Sequence, residues 1–83
     1  MSAVRLTRDD ALAMLADAFA EPGPLNAGMQ RDDVVGWDSM GALMLMAELD
    51  ERFGLQLTAE QSKAMGSIGD VLGYLQAHGV LDD

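Results

Sequence analysis

The residues with the clearest chemical potential are an aspartate and a serine, Asp38-Ser39, which stand before a long apolar segment. That segment, from Met40 to Phe53, is rich in Ala, Leu and Met and has no β-branched residue, so it predicts a helix rather than a strand. Asp38 fits the N-cap, where its carboxylate accepts hydrogen bonds from the N–H groups of Met40 and Gly41. Ser39 then occupies the first helical position, where the positive end of the helix dipole would stabilise a phosphate on its hydroxyl.

The motif and its surroundings resemble the acyl carrier protein family. Asp38-Ser39-Met40 is similar to that family's Asp-Ser-Leu motif, with Met in place of Leu. Trp37 precedes the motif, and an acidic helix that ends in Phe53 and a turn follows it, as in the family. The resemblance implies a small antiparallel bundle of helices. It also implies that Ser39 carries a 4′-phosphopantetheine arm, whose thiol holds acyl groups as thioesters.

The same resemblance implies a set of partner proteins. A phosphopantetheinyl transferase would take the arm from coenzyme A, with Asp38 helping in recognition and in holding Mg²⁺ within that complex. A loading ligase for acyl or aminoacyl groups, and the synthase or transferase enzymes of a biosynthetic pathway, are the other expected partners. The chain itself is not expected to be an enzyme, because no residue near Ser39 in sequence can act as its base and the sole histidine is His78.

The predicted second helix has apolar residues on more than one face. By the resemblance, the residues expected to face the core are Met40, Leu45, Met46, Leu49 and Phe53. The residues expected to touch partners are Leu43, Met44, Ala47, Glu48 and Glu51. A surface helix is ordinarily polar on its outer face, so an apolar outer face indicates an interaction surface. The alternative is a helix that is buried on all sides.

Gly41 departs from many fatty-acid carriers, which have an acidic residue at this position. The departure favours a specialised fatty-acid, polyketide, nonribosomal-peptide or modified-lipid pathway. Asp38-Ser39-Met40-Gly41 also resembles the D-alanyl carrier proteins, so an aminoacyl or peptidyl cargo is an alternative. A further alternative is a small helical adaptor that binds a partner through the second helix and is never modified.

Composition predicts one small acidic domain covering residues 1–83. The formal net charge is −9 and cysteine is absent, which argues against nucleic-acid binding, disulfides and thiolate metal sites. Six acidic residues and no basic one lie between positions 32 and 51, either as a solvated face or to steer basic partners. No apolar run is long enough to span a membrane, and the N-terminus lacks a signal-peptide core. A cytoplasmic monomer without membrane insertion is expected.

Capping residues and apolar spacing predict an all-α fold with four helices, of which the third is short. The predicted bounds are 8–20, 39 to 52 or 53, 59–65, and a fourth helix that begins after Ser67 and ends at Gly79. The predicted N-caps are Thr7, Thr58 in a capping box with Gln61, and Ser67, and Gly54 is predicted to end the second helix. A long Gly- and Pro-rich loop, residues 21–37, joins the first two helices, and loops of this length in compact domains commonly carry function. The apolar loop residues Leu25, Met29, Val34 and Val35 are expected to pin it to the core, and Trp37 is expected to pack over the core.

Overall fold

The computed structural model describes residues 6–22 and 24–82, and these form a small helical fold. The α-helices of the described residues are α1 (Arg8–Ala18), α2 (Ser39–Phe53), α3 (Ala59–Ala64) and α4 (Ile68–Ala77). A single turn of 3-10 helix, Arg31–Asp33, lies in the connection between α1 and α2. The predicted all-α class, with three longer helices and a short third one, is confirmed.

The helices begin behind polar side chains that cap their free N–H groups. The N-caps of α1, α3 and α4 are Thr7, Thr58 and Ser67. In each, the side-chain oxygen accepts a hydrogen bond from the N–H three residues ahead. The Thr58 N–H in turn donates a hydrogen bond to Oε1 of Gln61, which completes the capping box that the sequence predicts. These bonds satisfy donors that have no partner inside the helix, so they fix where each helix starts.

The C-terminal ends of the first two helices differ in how well the sequence predicts them. α1 ends at Ala18 rather than at Ala20, and Ala20 adopts a left-handed φ of 52°. Glu21 lies just before a proline, where helical backbone is disfavoured, so the chain turns early. α2 ends where predicted, because Gly54 takes a φ of 67° and its N–H bonds to a carbonyl in the last turn of the helix.

A short parallel pair of strands, β1 (Leu6–Thr7) and β2 (Leu81–Asp82), was not among the predicted elements. Strands of two residues leave no alternating pattern in the sequence, so periodicity gives no signal for them. Leu6 pairs with Leu81, and both residues are buried. The pair therefore closes the end of the core where the first and last described segments meet.

One core lies between the helices and includes residues of α1, α2 and α4, while Leu57 and Met65 join it from either side of α3. The fully buried large side chains are Phe19, Leu15, Leu45, Leu49, Ile68, Leu75 and Val71. Of the residues of α2 expected in the core, Leu45 and Leu49 are buried there, and Met46 and Phe53 are partly buried against it. The expectation for Met40 is wrong, since its side chain is 67% exposed.

Helical geometry explains the error at Met40. The buried positions of α2 are Gly41, Ala42, Leu45 and Leu49. Met40 instead shares its spacing with Leu43, Met44 and Ala47, at i, i+3, i+4 and i+7, and all four are exposed. These four residues are called the apolar strip below.

Candidate functional site

The Asp38-Ser39 pair stands at the start of α2, with the two side chains in different roles. Asp38 has extended backbone, and its Oδ1 accepts a hydrogen bond from the Gly41 N–H at 2.9 Å. Ser39 is the first helical residue and is exposed. Because Asp38 supplies the cap, the hydroxyl of Ser39 is not needed to hold the helix end. An exposed hydroxyl thus lies at the positive end of a helix of 15 residues.

Two glycines set the position of this helix start by close backbone packing. A Cβ atom on Gly41 would overlap the carbonyl oxygen of Gly36. A Cβ atom on Gly36 would in turn overlap the carbonyl oxygen of Phe19 at the end of α1. The first turn of α2 therefore rests on the loop before Ser39, and that loop rests on α1. This packing gives a local reason for glycine at position 41, since any larger side chain there would meet backbone.

Trp37, the aromatic residue before the motif, packs the loop against the core. Trp37 is buried and stacks on Phe19, with ring centroids 5.0 Å apart and an interplanar angle of 16°. The guanidinium carbon of Arg31 lies 5.2 Å from the centroid of the same Trp37 ring. Val34 is buried as expected, whereas the expectation for Val35 is wrong, because its side chain is 88% exposed. The loop is held to the core by Val34 and Trp37 and presents Val35 to solvent.

The residues predicted to touch partners lie on the outer side of α2. Leu43 and Met44 are 59% and 52% exposed, and Ala47 and Glu51 are also exposed. Glu48 is half-buried and accepts an ion-paired hydrogen bond from the Nε of Arg52. A partner-binding role for these residues stays a prediction. Exposed apolar side chains of this size, grouped beside one another, are unusual on a protein surface without a partner.

A groove of about 240 Å³ lies between α2 and α3 and includes Ser39 in its wall. Its lining residues are Arg31, Ser39, Ala42, Leu43, Met46, Ala59, Ser62 and Lys63. Sequence reasoning missed Arg31 and Lys63 as neighbours of Ser39. No spacing along the chain signals that neighbourhood, because it arises when α3 packs beside α2.

Other chemistry is not assembled around Ser39 in the described ranges 6–22 and 24–82. Those residues include no group of three or more His, Cys, Asp or Glu side chains placed to hold a metal ion. His78 caps the end of α4 and packs against Tyr74, with ring centroids 4.4 Å apart. The described helices also include none that is long and apolar enough to cross a membrane.

Comparison with known proteins adds one informative similarity. No protein-family model matches the sequence, and no solved structure matches it. The chain is similar to an acyl carrier protein from Clostridium acetobutylicum. The two sequences are 35% identical over 46 residues, which are 55% of this chain and 60% of the relative. The alignment thus covers less than two thirds of the relative's length, and it supports a relationship to the acyl carrier proteins.

The similarity and the fold are consistent with each other. A chain with four helices, the third of them short, fits the small helical fold expected from the resemblance. A carrier role for this chain is argued below as a proposal. The attachment of a prosthetic group at Ser39 and the pathway served go beyond this similarity and are argued as proposals.

Proposed function

We propose that this protein is a carrier, not an enzyme, and that Ser39 accepts 4′-phosphopantetheine from coenzyme A. The main support for the proposal is that Asp38 and Ser39 have different roles at the start of α2. Asp38 caps the helix, and the hydroxyl of Ser39 is left exposed beside it. The partial alignment with an acyl carrier protein supports the same function.

In the proposed transfer reaction, Ser39 provides the hydroxyl that attacks phosphorus. Its Oγ forms a bond to the phosphorus next to the pantetheine of coenzyme A. The bond from that phosphorus to the oxygen of the nucleotide portion breaks, adenosine 3′,5′-bisphosphate leaves, and the hydroxyl proton passes to a base of the separate transferase. Asp38, whose Oδ1 accepts a hydrogen bond from the Gly41 N–H, would also help to hold the Mg²⁺ of the transferase complex.

The surroundings of Ser39 fit a phosphopantetheine group. The new phosphodiester would lie at the positive end of α2, which favours a negative charge. The groove beside Ser39 offers apolar wall residues such as Ala42 and Met46 to the rest of the arm. When attached, the arm supplies a thiol that holds an acyl group as a thioester.

The apolar strip supports the proposal for partners. The transferase, a loading ligase and the synthase or transferase enzymes of a cytoplasmic pathway would each contact the strip around Ser39. The exposed acidic residues Asp38 and Glu51, which lie toward opposite ends of α2, would attract partners with basic surfaces. Exposed methionines adapt to several partner shapes, so Met40 and Met44 suit a surface that meets a series of enzymes.

The pathway is proposed to be a specialised one, with fatty-acid, polyketide or aminoacyl cargo. The support is the apolar strip, in which Leu43 and Met44 stand where a polar surface is typical. A ketoacyl synthase of ordinary fatty-acid synthesis should therefore turn over this carrier slowly compared with its own. Equal rates would contradict the specialised assignment while leaving the carrier function in place.

The test of the carrier function is the intact mass of the protein after incubation with coenzyme A, Mg²⁺ and a broad-specificity phosphopantetheinyl transferase. The parent should gain one phosphopantetheinyl group, and Ser39→Ala should gain none. Absence of modification in the folded parent would overturn the proposal and favour the adaptor alternative, which has no need of the group.

A further inference from the structure

All of the sulfur in this chain is in methionine. The sequence has seven methionines and no cysteine, so no thiol of the chain competes with the thioethers for an oxidant. Oxidation turns a methionine side chain, which is flexible and apolar, into a sulfoxide, which is polar and chiral. The exposure of each methionine decides whether it reacts, and its surroundings decide what the reaction changes.

The methionines that the structure describes differ in exposure. The side chains of Met40 and Met44 are 67% and 52% exposed. The other four are buried in the core or packed against it: Met14, Met65, Met29 and Met46. A dissolved oxidant therefore reaches Met40 and Met44 before it reaches these four.

The two exposed thioethers lie beside the proposed modification site. Met40 follows Ser39 directly, and Met44 lies one helical turn further along α2. Both belong to the apolar strip, and neither is among the core residues or the residues packed against the core. A change of polarity at these two positions thus leaves the packing between the helices intact. It alters the surface that the proposed partners would contact.

We propose that Met40 and Met44 form an oxidation-sensitive site, at which a hydroperoxide converts the thioethers to sulfoxides and thereby weakens the binding of partner proteins to α2. The effect on partners rests on the proposed function, because the apolar strip adjoins Ser39. The site is a switch, since methionine sulfoxide is returned to methionine by methionine sulfoxide reductases.

The oxidation step is balanced by the hydroperoxide alone. A lone pair of the methionine sulfur forms a bond to the terminal peroxide oxygen, and the O–O bond breaks. The hydroperoxide proton passes to the departing oxygen, which leaves as an alcohol, or as water from hydrogen peroxide. The sulfur loses two electrons and the peroxide gains them. No other residue of the chain takes part in the step.

The sulfoxide weakens binding through its oxygen. That oxygen accepts hydrogen bonds from water while the strip is exposed. A partner that covers the strip with apolar groups removes this water without replacing its hydrogen bonds. Burying a polar group in this way is unfavourable, and we expect the affinity of the transferase for the protein to fall roughly tenfold. The chemistry of Ser39 itself is unchanged, so kcat should change little.

The test treats the full-length, unmodified protein with tert-butyl hydroperoxide and removes the oxidant before assay. Peptide mapping by mass spectrometry locates the sulfoxides, and circular dichroism reports the fold. The kcat and KM for phosphopantetheinylation are then measured with the protein as the varied substrate. Met40→Leu/Met44→Leu keeps an apolar strip without sulfur, and Met29→Leu removes a methionine outside the strip as a control. Each treated sample is compared with its own untreated sample.

Sulfoxide should form first at Met40 and Met44 with the helical signal intact. The KM should rise about tenfold in the treated parent and in treated Met29→Leu, but not in the double variant. Methionine sulfoxide reductases acting on both sulfoxide epimers should restore it.

Three results would overturn the inference and leave the carrier function in place. They are equally fast oxidation of Met29 or Met46, loss of the fold on oxidation, and an unchanged KM after both exposed thioethers have reacted. If the untreated, folded parent takes up no phosphopantetheine, the proposed function and the switch fail together.

Discussion

Helices α2 and α4 are both apolar, but they use their apolar residues differently. In α4 the large apolar side chains all face inward, and the buried set is Ile68, Val71, Leu72 and Leu75. In α2 the side chains of Met40, Leu43 and Met44 are more than half exposed. The apolar content of α4 is explained by the core alone. That of α2 exceeds what the core requires, and the excess lies beside Ser39.

The serines at the starts of these helices show the same contrast. Ser67 is the N-cap of α4, and its Oγ accepts a hydrogen bond from the Asp70 N–H at 3.1 Å. At α2 the cap is Asp38, and Ser39 lies one position later with its side chain exposed. Ser67 thus forms part of the helix end, whereas Ser39 lies in the first turn and is exposed. The comparison separates a serine that caps its own helix from a serine that has no capping role, and only the second fits the proposed modification.

The largest expected difference in stability is between a substitution on the buried face of α2 and one on its exposed face. Leu45→Ala removes a fully buried side chain and should lower the free energy of unfolding by about 2–5 kcal/mol. Leu43→Ala removes the same group from an exposed position two residues away and should change it by about 0.5 kcal/mol or less. Urea unfolding of both variants is the measurement. Equal losses of unfolding free energy in the two variants would mean that α2 has no exposed apolar face.

Glycine substitutions should have opposite effects in the two helices. Gly41→Ala places a methyl group against the Gly36 carbonyl, and we expect a loss of roughly 1–3 kcal/mol of stability and slower modification of Ser39. Gly73→Ala, in α4, meets no atom within 4 Å and should stabilise the protein by up to about 1 kcal/mol. Thermal unfolding measures both. A neutral Gly41→Ala would show that the close packing beneath Ser39 does not constrain it.

The smallest effect on stability is expected for Met44→Asp. The side chain is 52% exposed, so the variant should unfold within about 0.5 kcal/mol of the parent. Its complex with the transferase should dissociate faster, because the substitution puts an unpaired charge into a desolvated contact. Glu51→Lys should instead slow association and weaken its salt dependence. Surface-binding kinetics at two salt concentrations separate the two outcomes, and parent-like kinetics for Met44→Asp would remove the apolar strip from recognition.

Local sequence signals predict those parts of the fold that local chemistry determines. The N-caps Thr7, Thr58 and Ser67 and the glycine end of α2 are examples, because each depends on one side chain or one backbone angle. The strands Leu6–Thr7 and Leu81–Asp82 could not be predicted, because their pairing joins segments that are distant in sequence. The expectation that Met40 faces the core is wrong, because its spacing of three and four residues from Leu43 and Met44 places it on their exposed face.

The candidate site likewise has one feature that adjacent residues predict and others that arise only from helix packing. The position of Ser39 behind an aspartate cap can be read from adjacent residues, and the structure shows that geometry. The close approach of Gly36 and Gly41 to neighbouring backbone depends on how α1 and α2 pack. The presence of Arg31 and Lys63 in one groove with Ser39 depends on how α2 and α3 pack. Packing of this kind leaves no repeated pattern along the chain. It can be seen only once the helices are placed in three dimensions.

The central claim is that the exposed serine of α2, and no other, is the modification site. Peptide mapping by tandem mass spectrometry after treatment with coenzyme A and a phosphopantetheinyl transferase tests it most directly, because Ser67 serves as an internal control at the start of another helix. We predict the phosphopantetheinyl group on the peptide containing Ser39, with Ser62 and Ser67 unmodified. A modified Ser67, or a folded protein with no modified serine, would contradict the account.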